Sequence, residues 1–194
     1  MILDGEMVRL VPLEIGHVDA LCEVGLDTEI WRWMPTGVRD RGGMQTWVED
    51  ALAVQNAGSA IPFATTLRET GKVIGSTRFM NIDSAHRRAE IGATWIAPAW
   101  QRSRVNTEAK YLMLRYAFEE QRRRRVEFKT SSNNMKSRTA ILRLGASEEG
   151  TFRKHMIQED GSNRDTVYFS IVDDEWPTVK ARLELALLRD GARG

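Results

Sequence analysis

Ala89-Glu90-Ile91-Gly92-Ala93-Thr94-Trp95-Ile96-Ala97-Pro98-Ala99-Trp100 is an extended run that stops at a proline, and Gln101-Arg102-Ser103-Arg104-Val105-Asn106-Thr107 follows it as a basic loop. Proline donates no N–H, so the strand expected over residues 89–96 ends there. Beyond the loop the spacing predicts a helix over 106–120. Ala109, Leu112, Met113, Tyr116 and Ala117 share one face, and Tyr111, Leu114 and Phe118 nearly complete a second. A helix apolar around so much of its girth packs deep against a sheet. Its first N–H groups have no partner inside the helix and lie at the positive end of the dipole, so the loop feeding it is a site for an anion.

Reading outward, residues 61–67 and 73–80 are β-branched or aromatic runs joined by Glu69-Thr70-Gly71-Lys72, a hairpin signal, and residues 89–96 complete a three-strand meander. Upstream lie a strand over 6–12, a helix over 15–24, a short helix or turn around Trp31, Trp33, Met34 and Pro35, and a helix over 44–56 whose Trp47, Ala51 and Val54 share a face. Downstream come a strand over 126–130 and a helix over 134–144 with Gly145 as its C-cap. Strands over 152–157 and 166–172 follow, and a closing amphipathic helix over about 176–190 carries Val179, Leu183, Ala186 and Leu187. This order predicts an α/β (α+β) fold: a mixed, mainly antiparallel sheet of about seven strands with helices on both faces.

A chain of 194 residues without repeats or a low-complexity linker is expected to be one domain, 1–194. Its 28 Lys and Arg against 27 Asp and Glu give a net charge of +1, which offers no overall attraction to nucleic acid or to an acidic membrane. One cysteine, Cys22, and three scattered histidines, His17, His86 and His155, make neither a disulfide nor a metal-ligand spacing. The expectation is a reduced, cytoplasmic, metal-free protein with no membrane span or secretion signal. Arg122 to Arg125 is the one charge run, and a solvated helix end explains it better than an RNA contact.

The stretch 90–100, with Thr107-Glu108-Ala109 and Tyr116-Ala117-Phe118-Glu119 after it, resembles the central motif of the GNAT acetyltransferases. The likeness continues through Val8-Arg9-Leu10-Val11-Pro12-Leu13, Arg125-Val126-Glu127-Phe128-Lys129, Asn134-Met135-Lys136-Ser137-Arg138 and Leu144-Gly145-Ala146. It extends to Glu148-Glu149-Gly150, in the family's order, and looks closest to the ribosomal-protein N-terminal acetyltransferase branch. The resemblance implies acetyl-CoA as cosubstrate, no metal, and transfer to a primary amine by direct attack on the thioester. It implies that Gln101, Arg102, Ser103, Arg104, Val105, Asn106 and Thr107 hold the pyrophosphate and that Trp95, Ile96 and Ala97 face pantetheine. A backbone N–H near Ile96 would meet the oxyanion.

Two departures stand out. The family pattern in the loop places glycine where this chain has Arg104, and glycine or alanine where it has Asn106; the guanidinium groups of Arg102 and Arg104 offer charge-assisted bonds to phosphate instead. The tyrosine many members use as acid is replaced by Ile141, while Ser137, three residues after Asn134, fills the place a serine takes in the ribosomal branch. Ser137 is thus a candidate at the thiol against a packing role, and Asn134 a cofactor contact against a helix cap. Glu90 is the best-placed base, against a plain surface carboxylate. Trp31, Trp33 and Met34 are candidates for the acceptor groove against core, with Asp27 and Glu29 nearby as charges that attract an amine. The acceptor expected first is a protein N-terminus and second a small-molecule amine, and a second copy in a homodimer is a further candidate partner; a non-catalytic acyl-CoA-binding module and a ribosome-associated RNA binder are the alternative readings.

Overall fold

Alternating apolar residues open the chain, and they pair as the alternation requires. The computed structural model describes residues 1–191, so the last residues of the expected 1–194 domain lie outside the described residues. β1 (Leu3–Asp4) and β2 (Val8–Pro12) lead to the helices α1 (Val18–Gly25), α2 (Thr28–Trp31) and α3 (Arg41–Asn56). The meander β3 (Ile61–Leu67), β4 (Val73–Asp83) and β5 (Arg88–Ile96) follows. Then come α4 (Arg104–Arg115), β6 (Arg125–Ser131), α5 (Met135–Leu144), β7 (Ser147–Ile157), β8 (Asn163–Val172) and α6 (Trp176–Gly191). The strands form one sheet in the order β1-β2-β3-β4-β5-β6-β8-β7, antiparallel throughout except for the parallel pair β5 and β6.

Eight strands stand in place of the seven expected, because the short β1 adds an edge beside β2. The fold class holds: α4, α5 and α6 cover one face over a core built on Leu10, Phe63, Ile74, Met113, Phe169 and Ile171. α1 and α3 cover the other, around Leu13, Leu21, Trp31, Met44, Val48 and Trp95. Fully burying each such side chain contributes about 1.5–3 kcal/mol.

Four expectations need correcting. α4 starts at Arg104 rather than Asn106, because Ser103 caps it by accepting the Val105 N–H; the segment Tyr116–Glu120 is a π-helical turn rather than more α-helix. In α3 the buried face is Met44, Val48 and Ala51, and Val54 is exposed. β7 begins at Ser147, five residues before the expected start. The turn signals hold: Gly71 (φ +70) closes the β3–β4 hairpin, and Gly145 (φ +101) ends α5 in the left-handed conformation.

Candidate active site

The site is made by two strands that stop pairing. β5 and β6 share only the register Arg88↔Arg125, Ala89↔Val126 and Glu90↔Glu127, and from there they part. Past Glu90, β5 has no neighbour on its β6 side, so its backbone groups along that edge are free to bind an extended ligand. β5 also carries a bulge. Its register with β4 jumps from Ser76↔Trp95 to Arg78↔Gly92, with Ala93 at a φ of +45 inside the bulge. The far end is held by the Ala97 N–H donating to the Ile74 carbonyl at 2.8 Å. β4 can approach this closely only because Gly75 lacks a side chain: a Cβ there would lie 2.2 Å from the Trp95 carbonyl oxygen.

The loop after β5 leads straight to the start of α4. Gln101 donates from Nε2 to the Ile96 carbonyl at 3.0 Å and accepts from the Lys136 Nζ, which links the end of β5 to the first turn of α5. Arg102 adopts φ +62, the left-handed turn that glycine usually supplies, and is exposed. Ser103 donates to the Trp100 carbonyl at 2.6 Å. Arg104, at the family's glycine position, runs back to the β1–β2 turn, with Nη2 3.9 Å from Glu6. Val105 is buried, while Asn106 and Thr107 are half-buried in the first turn of α4. Trp95 and Ala97 are buried, as is Ile96, so only the strand's backbone edge is offered.

Glu90 stands at the vertex where the strands part. It is 2% exposed, and its Oε2 accepts from Asn81 Nδ2 at 2.8 Å and pairs with Lys129 Nζ at 3.2 Å. The surface-carboxylate reading is therefore wrong for Glu90. It lines an open cavity of about 830 Å³ shared with Asn81, Arg88, Glu127, Phe152 and Tyr168. The other acids of this cavity are committed: Arg125 pairs with both Glu127 and Glu149, and Ser170 donates to Glu149 at 2.8 Å. Burial pushes the Tyr168 hydroxyl pKa up. Asn134 caps α5, its Oδ1 accepting the Ser137 N–H at 3.0 Å, while the Ser137 hydroxyl has no hydrogen bond among the described residues.

The acceptor-side residues divide. Trp31 is buried, its Nε1 donating to the Gly25 carbonyl at 2.7 Å, and packs against Trp47 and Trp95 at centroid distances of 5.9 and 5.6 Å. It also reaches a smaller cavity, about 420 Å³, with Met34, Arg39 and Glu159. Trp33 lies under Arg32, and its carbonyl accepts from Arg164 Nη1 at 3.0 Å. Arg39 and Glu159 pair at 2.6 Å, tying the segment before α3 to the β7–β8 hairpin. Asp27 caps α2 and Glu29 pairs with Arg32, so both have local partners. In the run 122–125, Arg123 reaches the Asp83 carbonyl, Arg124 lies 3.8 Å from Asp173 and Arg125 serves Glu127 and Glu149.

One buried group was missed. Lys110 on α4 is 6% exposed and donates to Thr94 Oγ1 at 2.5 Å and Thr77 Oγ1 at 3.0 Å, with no carboxylate paired to it among the described residues. Burial pushes its amine pKa down to about 7. The signal existed: Lys110 stands three and seven residues before Met113 and Ala117, on the apolar stripe. Among the described residues no group of three or more His, Cys, Asp or Glu side chains is placed to hold a metal, and no helix is long and apolar enough to cross a membrane.

Two strands part here beside the N-terminus of a helix, and comparison with known proteins gives this arrangement a family. Residues 8–147 match the Acetyltransferase (GNAT) domain, and the chain belongs to the GNAT N-acetyltransferases. A Bacillus subtilis relative named "Putative ribosomal N-acetyltransferase YdaF" is 36% identical over 106 residues, 55% of this chain and 57% of that protein, so the match spans little more than half the relative's length. The N-acetyltransferase p20 of Bacillus licheniformis is 27% identical over 88% of this chain and 96% of its own. Among solved structures, a GCN5-related N-acetyltransferase from Brucella melitensis superposes with a TM-score of 0.88 at 33% identity, covering 95% of this chain and 84% of the other. RimJ of Mycobacterium smegmatis, in complex with CoA-disulfide, shares the fold at a TM-score of 0.79 and 24% identity, covering 92% and 88%.

Proposed function

We propose that this chain is a one-domain cytoplasmic enzyme that moves the acetyl group of acetyl-CoA to a primary amine, with a protein or peptide N-terminal α-amine as first acceptor. The observation that carries this is the free β5 edge between Glu90 and the N-terminus of α4: one end meets a buried carboxylate at an open cavity, the other the positive end of a helix that Ser103 caps. The loop fits acetyl-CoA despite its missing glycines. Arg102 makes the left-handed turn, and Arg104 swings its guanidinium towards Glu6 instead of standing over the loop. Gln101 to Thr107 then hold the pyrophosphate, the backbone of Trp95, Ile96 and Ala97 pairs with pantetheine, and Asn134 borders the thiol end. The RimJ structure with CoA-disulfide and the relative named for ribosomal N-acetylation support this reading.

In the reaction the amine nitrogen attacks the thioester carbonyl carbon. The C–N bond forms, the C–S bond breaks, and the oxyanion is met by backbone N–H of the β5 edge. An α-amine with a pKa near about 7.7–8.0 needs only a modest base, and Glu90 takes its proton through water in the cavity. Ser137, whose hydroxyl is uncommitted, orients or protonates the departing thiolate. Trp31, Met34 and the Arg39–Glu159 link border the acceptor's path, while Trp33 does not line this cavity.

Thiol release from acetyl-CoA, followed with a panel of N-terminal peptides, polyamines and amino acids, tests the assignment. Release with peptides above the amine-free background is expected. Acetyl-CoA that raises the melting temperature while no amine releases thiol would make the chain an acyl-CoA-binding module.

A further inference from the structure

Ala93 is a non-glycine residue at φ +45 in the middle of the strand on which the proposed chemistry rests. A conformation of that kind is strained and persists where surrounding contacts over-determine it. The contacts lie directly beneath it. Thr77 is the β4 residue skipped by the register jump, Thr94 follows Ala93 in the bulge, and their hydroxyls are 2.8 Å apart. The Lys110 amine reaches both from α4, and Thr77 also contacts Met113 Sδ at 3.6 Å. Where the ladder between β4 and β5 is missing, a lysine bridges the strands instead.

The fold gains little from that lysine. It is buried without a counter-ion among the described residues, so holding its proton costs desolvation, and methionine, one atom shorter, would fill most of the space without that cost. The two threonine hydroxyls would still have each other. What the lysine supplies is local: a rigid donor beneath the bulge and, when protonated, a positive charge one residue from Trp95, on the edge where the thioester oxygen becomes negative. Other charges face elsewhere. On α4, Glu108 is bound to the amides of Glu6, Met7 and Val8, and Arg104 points to Glu6. On β4, Arg78 lies over Trp47. On β5, Glu90 is held by Lys129 and Asn81, and on β2, Arg9 is paired with Asp4.

We propose that Lys110 is a positioning residue for acetyl transfer: through Thr94 and Thr77 it fixes the β5 bulge, and with it the backbone donors that meet the thioester carbonyl. This rests on the reading that acetyl-CoA lies along β5. The cation strengthens those donors, so the contribution of Lys110 fades as its amine loses its proton above about pH 7.

The test uses the full chain with Lys110→Met, Lys110→Gln and Thr94→Val, and reads acetyl-CoA affinity, melting temperature, kcat and KM. Lys110→Met is expected to melt at a higher temperature than the parent and to bind acetyl-CoA within about threefold, yet to lose about tenfold or more in kcat. Lys110→Gln, which keeps two donors without the charge, recovers part of that loss, and Thr94→Val reproduces it. A purely structural lysine predicts the reverse: a lower melting temperature, with activity lost only in proportion to folded protein. A folded Lys110→Met enzyme with the parent's kcat across about pH 6 to 9 overturns the proposal. Should that variant fail to fold, parent-like kcat in Thr94→Val overturns it equally. A parent that neither binds acetyl-CoA nor releases thiol refutes the transfer reading itself, and that outcome is distinct.

Discussion

Gly75→Ala places one methyl group where two strands nearly touch. The added Cβ would lie 2.2 Å from the Trp95 carbonyl oxygen and 3.0 Å from the Ile96 Cα, and both are backbone atoms that cannot rotate away. Since real Cβ atoms do not come closer than 3.0 Å, β4 and β5 have to separate by at least about 0.8 Å, the difference between 3.0 and 2.2 Å. That displacement falls on Trp95 and Ile96, whose backbone we propose to border the thioester. A misplacement of about 1 Å in an aligned site costs on the order of 100-fold in rate, so kcat should fall by about 10- to 100-fold. Overpacking costs about 1–3 kcal/mol of stability, which leaves a domain of this size folded. Thiol-release kinetics beside urea denaturation separate the two effects. A folded Gly75→Ala enzyme with kcat within twofold of the parent would refute the claim that β5 backbone geometry governs transfer.

Three other outcomes follow from contacts already described. Glu108, 4% exposed, accepts the N–H groups of Glu6, Met7 and Val8 at 2.9, 2.9 and 2.7 Å. Glu108→Gln sets an amide NH₂ against one of these donors and removes the charge from the rest, so urea unfolding should show a loss of about 2–4 kcal/mol with an unchanged m-value. Ser137→Ala should lower kcat with acetyl-CoA affinity nearly unchanged, and an equal rate would return Ser137 to packing. Because Lys110 holds its proton less tightly folded, with a pKa of about 7, than unfolded near 10.5, the native state binds fewer protons between those values. Its burial penalty is full below pH 7 and is relieved as pH rises, so the parent should gain stability relative to Lys110→Met between about pH 7 and 10 in thermal melts.

Local pattern reached most of the architecture. The hairpin at 69–72, the strand stopped by Pro98 and the helix ended by Gly145 were all legible because a residue with one dominant backbone habit marks each. β7 was cut short because it is an outer strand exposed along nearly its whole length, so no apolar alternation announces residues 147–151. α3 was turned on its axis: Val54 continues a plausible stripe, but the buried residues follow Met44, Val48 and Ala51, and only packing against β3 and α1 decides between them. At the site, Glu90 was legible as the acid at the start of a strand, but not its burial, which comes from β6 and β4 bringing Lys129 and Asn81. Lys110 escaped notice because a lysine in a helix is ordinarily read as solvated; its partners, Thr77 and Thr94, are 33 and 16 residues away. Arg104 was legible as a charge standing where the family has glycine, but not its position 3.9 Å from Glu6 in the β1–β2 turn.

Trp31, Trp47 and Trp95 lie with centroids 5.6 to 6.1 Å apart, and Arg78 covers Trp47 at 4.6 Å. The backbone of Trp95 lies on the β5 edge while its indole belongs to this cluster, so the chain carries an optical gauge wired to β5. Neighbouring indoles exchange excitation, and small rotations of one ring alter the near-ultraviolet dichroism and emission of all of them. A ligand that shifts β5 can therefore be followed without a label, in native protein and in real time. Gly25, at the end of α1, packs on the same cluster, and a Cβ there would meet the Trp95 ring at 2.6 Å, so a substitution at Gly25 presses on a β5 side chain from the far side of the sheet.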